Sequence, residues 1–94
     1  MTGLPAALYD PRESIAVGEA ARRVGRSVRT IRDWCMFHKI GRRIAGRWLV
    51  NQIALDMLVE NDSEALTAFL AGDRSSPNVL AYYQRRNLPA PSVP

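Results

Sequence analysis

The basic residues of this 94-residue chain are concentrated between positions 22 and 47. That interval holds nine of the 13 basic residues and a single acid, Asp33, so its formal charge is +8. The remainder, with four basic and eight acidic residues, carries −4. Twelve of the basic residues are arginine, whose planar, forked donors match phosphate groups and guanine edges. This charge separation predicts a surface that binds a polyanion. A GC-rich genome is an alternative source of the preference for arginine over lysine.

The basic interval overlaps a pattern typical of two short helices joined by a tight turn. The first helix is predicted over residues 17–24 and the second over residues 28–37. Gly25 is the expected turn residue, and Ala21, four positions earlier, is small enough for the two helices to cross closely. Ser27 is expected to cap the second helix, because its hydroxyl can accept from free N–H groups of the first turn.

A basic hairpin is predicted to follow the second helix. Residues 42–44 and 47–50 read as two short strands around Ala45-Gly46, since the glycine permits the positive φ of a tight turn. Ser76 is the expected cap of the last helix, with Pro77 in its first position. Asn51 is expected to cap the first of three further helices, predicted over residues 52–60, 64–71 and 77–86. The predicted fold class is mainly α with a small β-hairpin, a winged helix-turn-helix with a C-terminal helical extension.

The prolines near both ends suggest how the chain is divided. The opening segment has two prolines and no helical period, and the closing segment has three prolines in seven residues. We therefore expect a flexible N-terminal arm, a winged helix-turn-helix DNA-binding domain, a helical extension and a disordered tail, over residues 1–13, 14–60, 61–87 and 88–94.

The order helix, turn, helix, basic hairpin, helix makes this pattern specific. SIAVGEAARRVGRSVRTIRDW, followed by GRRIAGRWLVNQIALDMLVE, resembles the excisionase family, small winged-helix proteins related to the DNA-binding domains of the MerR regulators. The resemblance covers about residues 14–60. It is carried by Glu19-Ala20-Ala21, Gly25, Ser27, Arg29-Thr30-Ile31, Trp34, Gly46-Arg47-Trp48 and Leu55.

The resemblance implies an architectural protein that binds double-stranded DNA. Several copies would bind adjacent sites as a homo-oligomer, bend attachment-site DNA and direct a partner integrase toward excision of a mobile element. An α-helix fits the major groove, and its N-terminal residues reach base edges best. The expected base contacts are Ser27, Val28, Arg29 and Arg32. The expected wing contacts are Arg42, Arg43 and Arg47, and the expected phosphate contacts are Arg22, Arg23, Arg26 and Lys39.

Three residues depart from the family pattern. The family usually has an apolar residue after the turn glycine and a basic one after the serine, whereas this chain has Arg26 and Val28. Asp33 stands where a second cation is common. If Val28 faces the groove, it can contact a thymine methyl in place of a phosphate or guanine contact. The departures therefore indicate a target sequence of the chain's own.

The last predicted helix exceeds what the winged module requires. It carries Tyr82, Tyr83, Arg85 and Arg86, the candidates for contact with a neighbouring copy or the integrase. The alternative is that the tyrosines pack in the core. Trp34 and Trp48 are expected to pack in the core rather than stack on bases.

Several function classes find little support in the residues. The chain has one histidine, no nucleophile with a recognisable partner and no Gly-rich phosphate loop, so we expect neither an enzyme nor a cofactor. Cys35 and His38 resemble half a metal site without a second pair, and a single cysteine forms no intrachain disulfide.

No apolar run has the length of a membrane span, and no signal segment opens the chain, which favours a cytoplasmic, nucleoid-associated protein. Two alternatives stay open, a small winged-helix transcriptional regulator and a protein-only adaptor.

Overall fold

The computed structural model describes residues 9–90 and has a mainly α fold with a small sheet. After a 3-10 helix, the described chain forms three strands and five α-helices. In chain order they are the 3-10 helix Pro11–Glu13, β1 Ser14–Ala16, α1 Val17–Val24, α2 Val28–Phe37, β2 Gly41–Ile44, β3 Arg47–Asn51, α3 Gln52–Val59, α4 Ser63–Leu70 and α5 Pro77–Arg85. The predicted fold class is confirmed, and each predicted helix lies within one residue of its observed bounds.

The turn between α1 and α2 forms as its residues predict. Gly25 ends α1 in the left-handed conformation, with φ of 69°, and its N–H donates to the Ala21 carbonyl. A residue with a β-carbon rarely adopts that backbone conformation, so glycine is the residue suited to this position. The Ser27 hydroxyl accepts from the N–H of Thr30 at 3.1 Å and so caps α2.

The sheet has the order β1-β3-β2, with both pairs antiparallel. The predicted hairpin is present, and β1 adds a third strand on the other side of β3. Ala45 and Gly46 both have positive φ, of 52° and 78°, as a two-residue hairpin turn with the twist of its strands requires. We refer to β2, β3 and their turn as the wing.

One hydrophobic core joins the winged module to the C-terminal helices. Its fully buried members come from all five α-helices and the sheet, and include Ile31, Val50, Ile53, Phe69 and Tyr83. Trp34 and Trp48 are partly buried and pack against this core, as expected. The extension over residues 61–87 therefore packs on α3 as part of the same body.

The prediction of a flexible arm over residues 1–13 is wrong at its described end, where residues 10–13 are ordered. Asp10 caps the 3-10 helix by accepting from the N–H of Arg12, and Glu13 is buried with 3% of its surface exposed. The local sequence does not predict this order, because the Glu13 side chain is held by hydrogen bonds to residues far away in the chain. Residues 1–8 lie outside the described part of the chain.

Two expectations near the C-terminus also change. The Ser76 hydroxyl does not cap α5 but donates to the Asp73 carboxylate, which also accepts from the N–H groups of Ser75 and Ser76. The prediction of a disordered tail over residues 88–94 is wrong at Leu88, which packs against the core and whose N–H donates to the Tyr83 carbonyl at 3.0 Å. Residues 91–94 lie outside the described part. Within residues 9–90, no helix is both long enough and apolar enough to span a membrane.

Candidate nucleic-acid interface

One face of α2 is exposed and carries the arginine side chains of the helix. The opposite face is apolar and packs against the core. Arg29, Arg32 and Met36 are exposed, and their spacing of three and four residues puts them on one face. Ile31 and Cys35 are fully buried on the other side. Because the helix is anchored along its buried face, its exposed face has a defined orientation relative to the wing.

The wing supplies the second wall of a groove beside this face. Arg43 lies opposite Trp48 in the β2–β3 register, so both side chains extend from the same side of the sheet, toward α2. Two adjoining depressions share Arg32, Arg43 and Trp48 and so form one continuous groove. We call this the α2–wing groove. Its polar and large apolar lining residues are Arg29, Arg32, Asp33, Met36, Arg43, Arg47 and Trp48.

The close approach of the wing to α2 depends on Gly41. A β-carbon placed there would collide with the Cys35 sulfur, and it would lie 2.7 Å from the Leu49 carbonyl oxygen. No side chain fits at that position without displacing the strand or the helix. Gly41 thus brings the arginines of the wing and those of α2 to the same groove.

The α2–wing groove brings together four of the predicted DNA contacts, and all four are exposed. They are Arg29 and Arg32 from α2 and, from the wing, Arg43 and Arg47, of which Arg47 pairs with Ile44 beside the hairpin turn and borders the turn end of the groove. Within residues 9–90, none of these guanidinium groups forms an ion pair with a carboxylate. Their donors are therefore free for an anionic ligand, and their convergence gives the groove a strongly positive potential.

The two residues predicted to begin the base-reading surface have other contacts. The Ser27 hydroxyl accepts from the Thr30 N–H and also donates to the Thr30 side chain at 3.0 Å. Val28 is half-buried and packs against the core, so only part of it is available as the outward apolar contact that we expected. The free polar face of α2 therefore begins at Arg29.

Of the other predicted DNA contacts, Arg23 and Arg42 are placed away from the α2–wing groove. Arg23 donates to Glu19 at 2.7 Å and to Gln52 at 2.9 Å, which holds it between α1 and the start of α3. Arg42 is half-buried and adjacent to Arg43 on β2, so the strand's alternation turns it to the other face of the sheet. Two intramolecular partners thus occupy donors of Arg23, and Arg42 does not line the α2–wing groove.

Arg26 lies in a second groove, on another side of α2. Its guanidinium is 6.0 Å from the centre of the Trp34 ring, and the groove shares no residue with the α2–wing groove. Its lining residues are Val24, Arg26, Trp34, His38, Leu58, Val59 and Asn61. Arg22 and Lys39 are exposed, as phosphate contacts require, but neither lines the α2–wing groove.

The prediction that Tyr82 and Tyr83 of the last helix contact a partner is wrong, because both side chains are buried. Tyr82 and Tyr83 are both buried, with 3% and 1% of their surface exposed. Adjacent residues on a helix point about 100° apart, but α5 packs on both α3 and α4, so its buried arc is wide enough for both. Arg85 and Arg86 form ion pairs with Glu60 and Asp56 of the α3 end of the molecule, which fastens the C-terminal helix to the module.

A buried polar cluster was missed by the sequence analysis. The carboxylate of Glu13 accepts from the Asn51 amide at 3.0 Å and from the Tyr83 hydroxyl at 2.7 Å. These residues are 38 and 70 positions from Glu13, and no periodic pattern connects them. Met36 was missed as well, although extending the spacing of Arg29 and Arg32 by one turn identifies it as a member of the same face.

Neither a metal site nor a reactive thiol accompanies the groove in the described part of the chain. No group of three histidine, cysteine or carboxylate side chains is close enough there to hold an ion. Burial raises the pKa of the Cys35 thiol to about 12, which keeps it protonated at neutral pH.

Comparisons of the chain with protein-family models, with curated proteins and with solved structures found no match. The excisionase resemblance therefore rests on the motifs quoted above.

Proposed function

We propose that the protein binds double-stranded DNA through the α2–wing groove, with α2 in the major groove. The observation that carries this proposal is the convergence of Arg29, Arg32, Arg43 and Arg47, exposed and without intramolecular ion pairs, on one groove. Arg29 and Arg32 lie in the N-terminal half of α2, the part that reaches base edges in helix-turn-helix complexes. Arg29 and Arg32 would contact bases, and the wing arginines would contact phosphates or an adjacent minor groove.

The proposed role is that of an excisionase. Copies would bind adjacent sites as a homo-oligomer assembled along the DNA, bend attachment-site DNA and direct a partner integrase toward excision, within the bacterial cytoplasm and its nucleoid. Support comes from the family motifs in residues 14–60 and from a fold that has the expected helix-turn-helix and wing. Smoothly bending a short site costs about 1–6 kcal/mol, which neighbouring copies can offset.

DNA binding is tested first by salt dependence and by substitution. If Arg43 and Arg47 each neutralise a phosphate, the log–log slope of affinity against salt is about −2, and phosphate contacts from the exposed Arg22 and Lys39 would steepen it to about −4. Arg29→Ala should relax sequence preference, whereas Arg43→Ala should weaken binding to cognate and random duplexes about equally. Arg85→Ala is the matched control, since it removes the same charge on α5. A slope near zero, or equal losses from Arg43→Ala and Arg85→Ala, would contradict the proposal.

The excisionase role is tested first by locating the gene, since an integrase gene beside it would identify the attachment region to use. Footprinting should show adjacent protected sites there, and circular-permutation gels should show a bend. An excision assay with the integrase should then depend on the protein. Protection of the gene's own promoter without an effect on excision would instead support the alternative, a small winged-helix transcriptional regulator.

A further inference from the structure

We propose that Asp33 reads a cytosine in the DNA target by accepting a hydrogen bond from its 4-amino group. This inference rests on the proposed function, since it requires α2 to lie in the major groove. Asp33 is half-buried in the α2–wing groove, among arginines, and is the single acid in a 26-residue interval of formal charge +8.

The ordinary structural roles of an aspartate on a helix do not apply to Asp33. It caps neither end of α2, and it lies six residues into the helix, beyond the first turn where an acid favours the helix dipole. Among residues 9–90, no basic group forms an ion pair with its carboxylate, although Arg29 lies one helical turn away. No hydrogen bond from a described side chain or backbone N–H satisfies it.

The surroundings of Asp33 identify the ligand chemistry. Arg29, Arg32, Asp33 and Met36 occupy one face of α2, because they are spaced by three, four and seven residues. In the major groove, arginine pairs with guanine, a carboxylate accepts from the cytosine 4-amino group, and an apolar side chain contacts the thymine methyl. This face therefore offers Arg29 and Arg32 for contact with guanine, Asp33 for contact with cytosine and Met36 for contact with a thymine methyl.

An acid at this position also acts against other sequences. Asp33 repels phosphate and presents acceptors to the acceptor groups of guanine and thymine and to adenine N7, so it lowers affinity wherever one of these groups faces it. Discrimination of this kind combines one favourable contact with several unfavourable ones. The result is a preference for a C·G pair within a surface whose attraction to DNA is otherwise independent of sequence.

The test is selection of binding sites from a randomised duplex library, with wild-type protein and three variants. Wild type should select a site with a cytosine on one strand at the Asp33 position. Asp33→Asn should change that base to adenine, because an amide pairs with adenine N6 and N7. Asp33→Glu should retain cytosine. Glu64→Gln, on the exposed surface of α4, removes the same charge and should leave the selected sequence unchanged.

A modified duplex gives a readout that does not depend on how well a variant folds. Replacing the selected cytosine by 2-pyrimidinone removes only the 4-amino group. Wild-type binding should fall about tenfold, in the range of a lost base contact, while binding by Asp33→Ala should not change. The same replacement outside the selected site controls for weakened base pairing.

The outcomes separate this inference from the proposed function. If wild type selects a site and Asp33→Asn selects the same one, or if the pyrimidinone duplex binds wild type undiminished, Asp33 does not read cytosine. If Asp33→Asn and Glu64→Gln raise affinity for all duplexes equally, the role of Asp33 is electrostatic alone. If wild type binds no duplex, the proposed function itself fails and the inference with it.

Discussion

We expect Asn51→Asp to destabilise the protein by about 4 kcal/mol at pH 7, even though Asp and Asn are about equally good helix caps. Asn51 Oδ1 accepts from the N–H groups of Ile53 and Ala54 at 2.9 and 3.0 Å, and an aspartate would preserve both bonds. Its Nδ2, however, donates to the buried Glu13 carboxylate at 3.0 Å. The substitution replaces that donor by an acceptor.

The expected loss of stability is set by whichever of two states of the Glu13–residue 51 pair costs less free energy. Two carboxylate oxygens about 3 Å apart repel by about 5–6 kcal/mol at an effective dielectric constant of about 20. The pair can instead hold one proton, which restores a hydrogen bond between the two side chains. Keeping a proton on an aspartate at pH 7 costs about 1.4 kcal/mol for each pH unit above its reference pKa of about 3.9, or about 4 kcal/mol.

This origin predicts a definite pH dependence. Sharing a proton raises the pKa of the carboxylate pair in the folded state above its value in the unfolded chain. Between about pH 4 and 7 the folded variant then binds more protons than the unfolded one, so its stability falls as pH rises. The difference from wild type should be near zero at about pH 4 and grow by about 1.4 kcal/mol per pH unit.

Urea unfolding between pH 4 and 7, followed by the fluorescence of Trp34 and Trp48, measures the difference. The control is the double variant Asn51→Asp with Glu13→Gln, in which the amide at position 13 can donate to the carboxylate at position 51. It should recover most of the lost stability at pH 7. A penalty below about 1 kcal/mol, a penalty independent of pH, or no recovery in the double variant would refute the assigned hydrogen bond.

The remaining predictions concern packing and burial. Gly41→Ala should destabilise by about 1–3 kcal/mol in urea unfolding, as overpacked cores do, and Cys35→Ala in the same chain should offset part of that loss. Burial raises the pKa of Cys35 to about 12, so its reaction with a disulfide reagent at about pH 8 should accelerate in urea as the protein unfolds. Burial, with a hydrogen bond to Asp62, raises the pKa of Tyr82 to about 12, and burial raises that of Tyr83 as well. Their stabilising contribution is present below about pH 10, the ordinary tyrosine value, and is lost as pH rises toward 12. In a Tyr9→Phe variant, which leaves Tyr82 and Tyr83 as the only tyrosines, the ultraviolet absorbance of phenolate should therefore rise together with unfolding, and separate titration of the folded protein would contradict the assignment.

The elements of this fold could be predicted because their signals are local. Gly25 and Ser27 mark the turn and cap between two helices, and Ala45-Gly46 marks the hairpin, each through contacts within a few residues. The apolar residues of α2 recur with the helical period, which places Ile31 and Trp34 toward the core. The clustering of arginine in one interval was also visible without a structure.

The tertiary structure decided which arginines belong together. Arg42 and Arg43 are neighbours in sequence, but the strand's alternation directs one toward α2 and the other away from it. Arg23 and Arg26 are likewise close in sequence, yet one braces α3 and the other lies over Trp34. A charge count treats these residues as equal, because it contains no information about direction.

The sequence by itself determined the order and limits of the helices and the hairpin, since hydrogen bonding and side-chain size act there over a few residues. Only the tertiary structure decided the roles of Glu13 and Tyr83. They are 70 residues apart and share a hydrogen bond in the interior, where an isolated polar group would be costly to bury. The same is true of the α2–wing groove, which exists because Gly41 lets two separate segments approach. Long-range contacts of this kind depend on the packing of the whole chain.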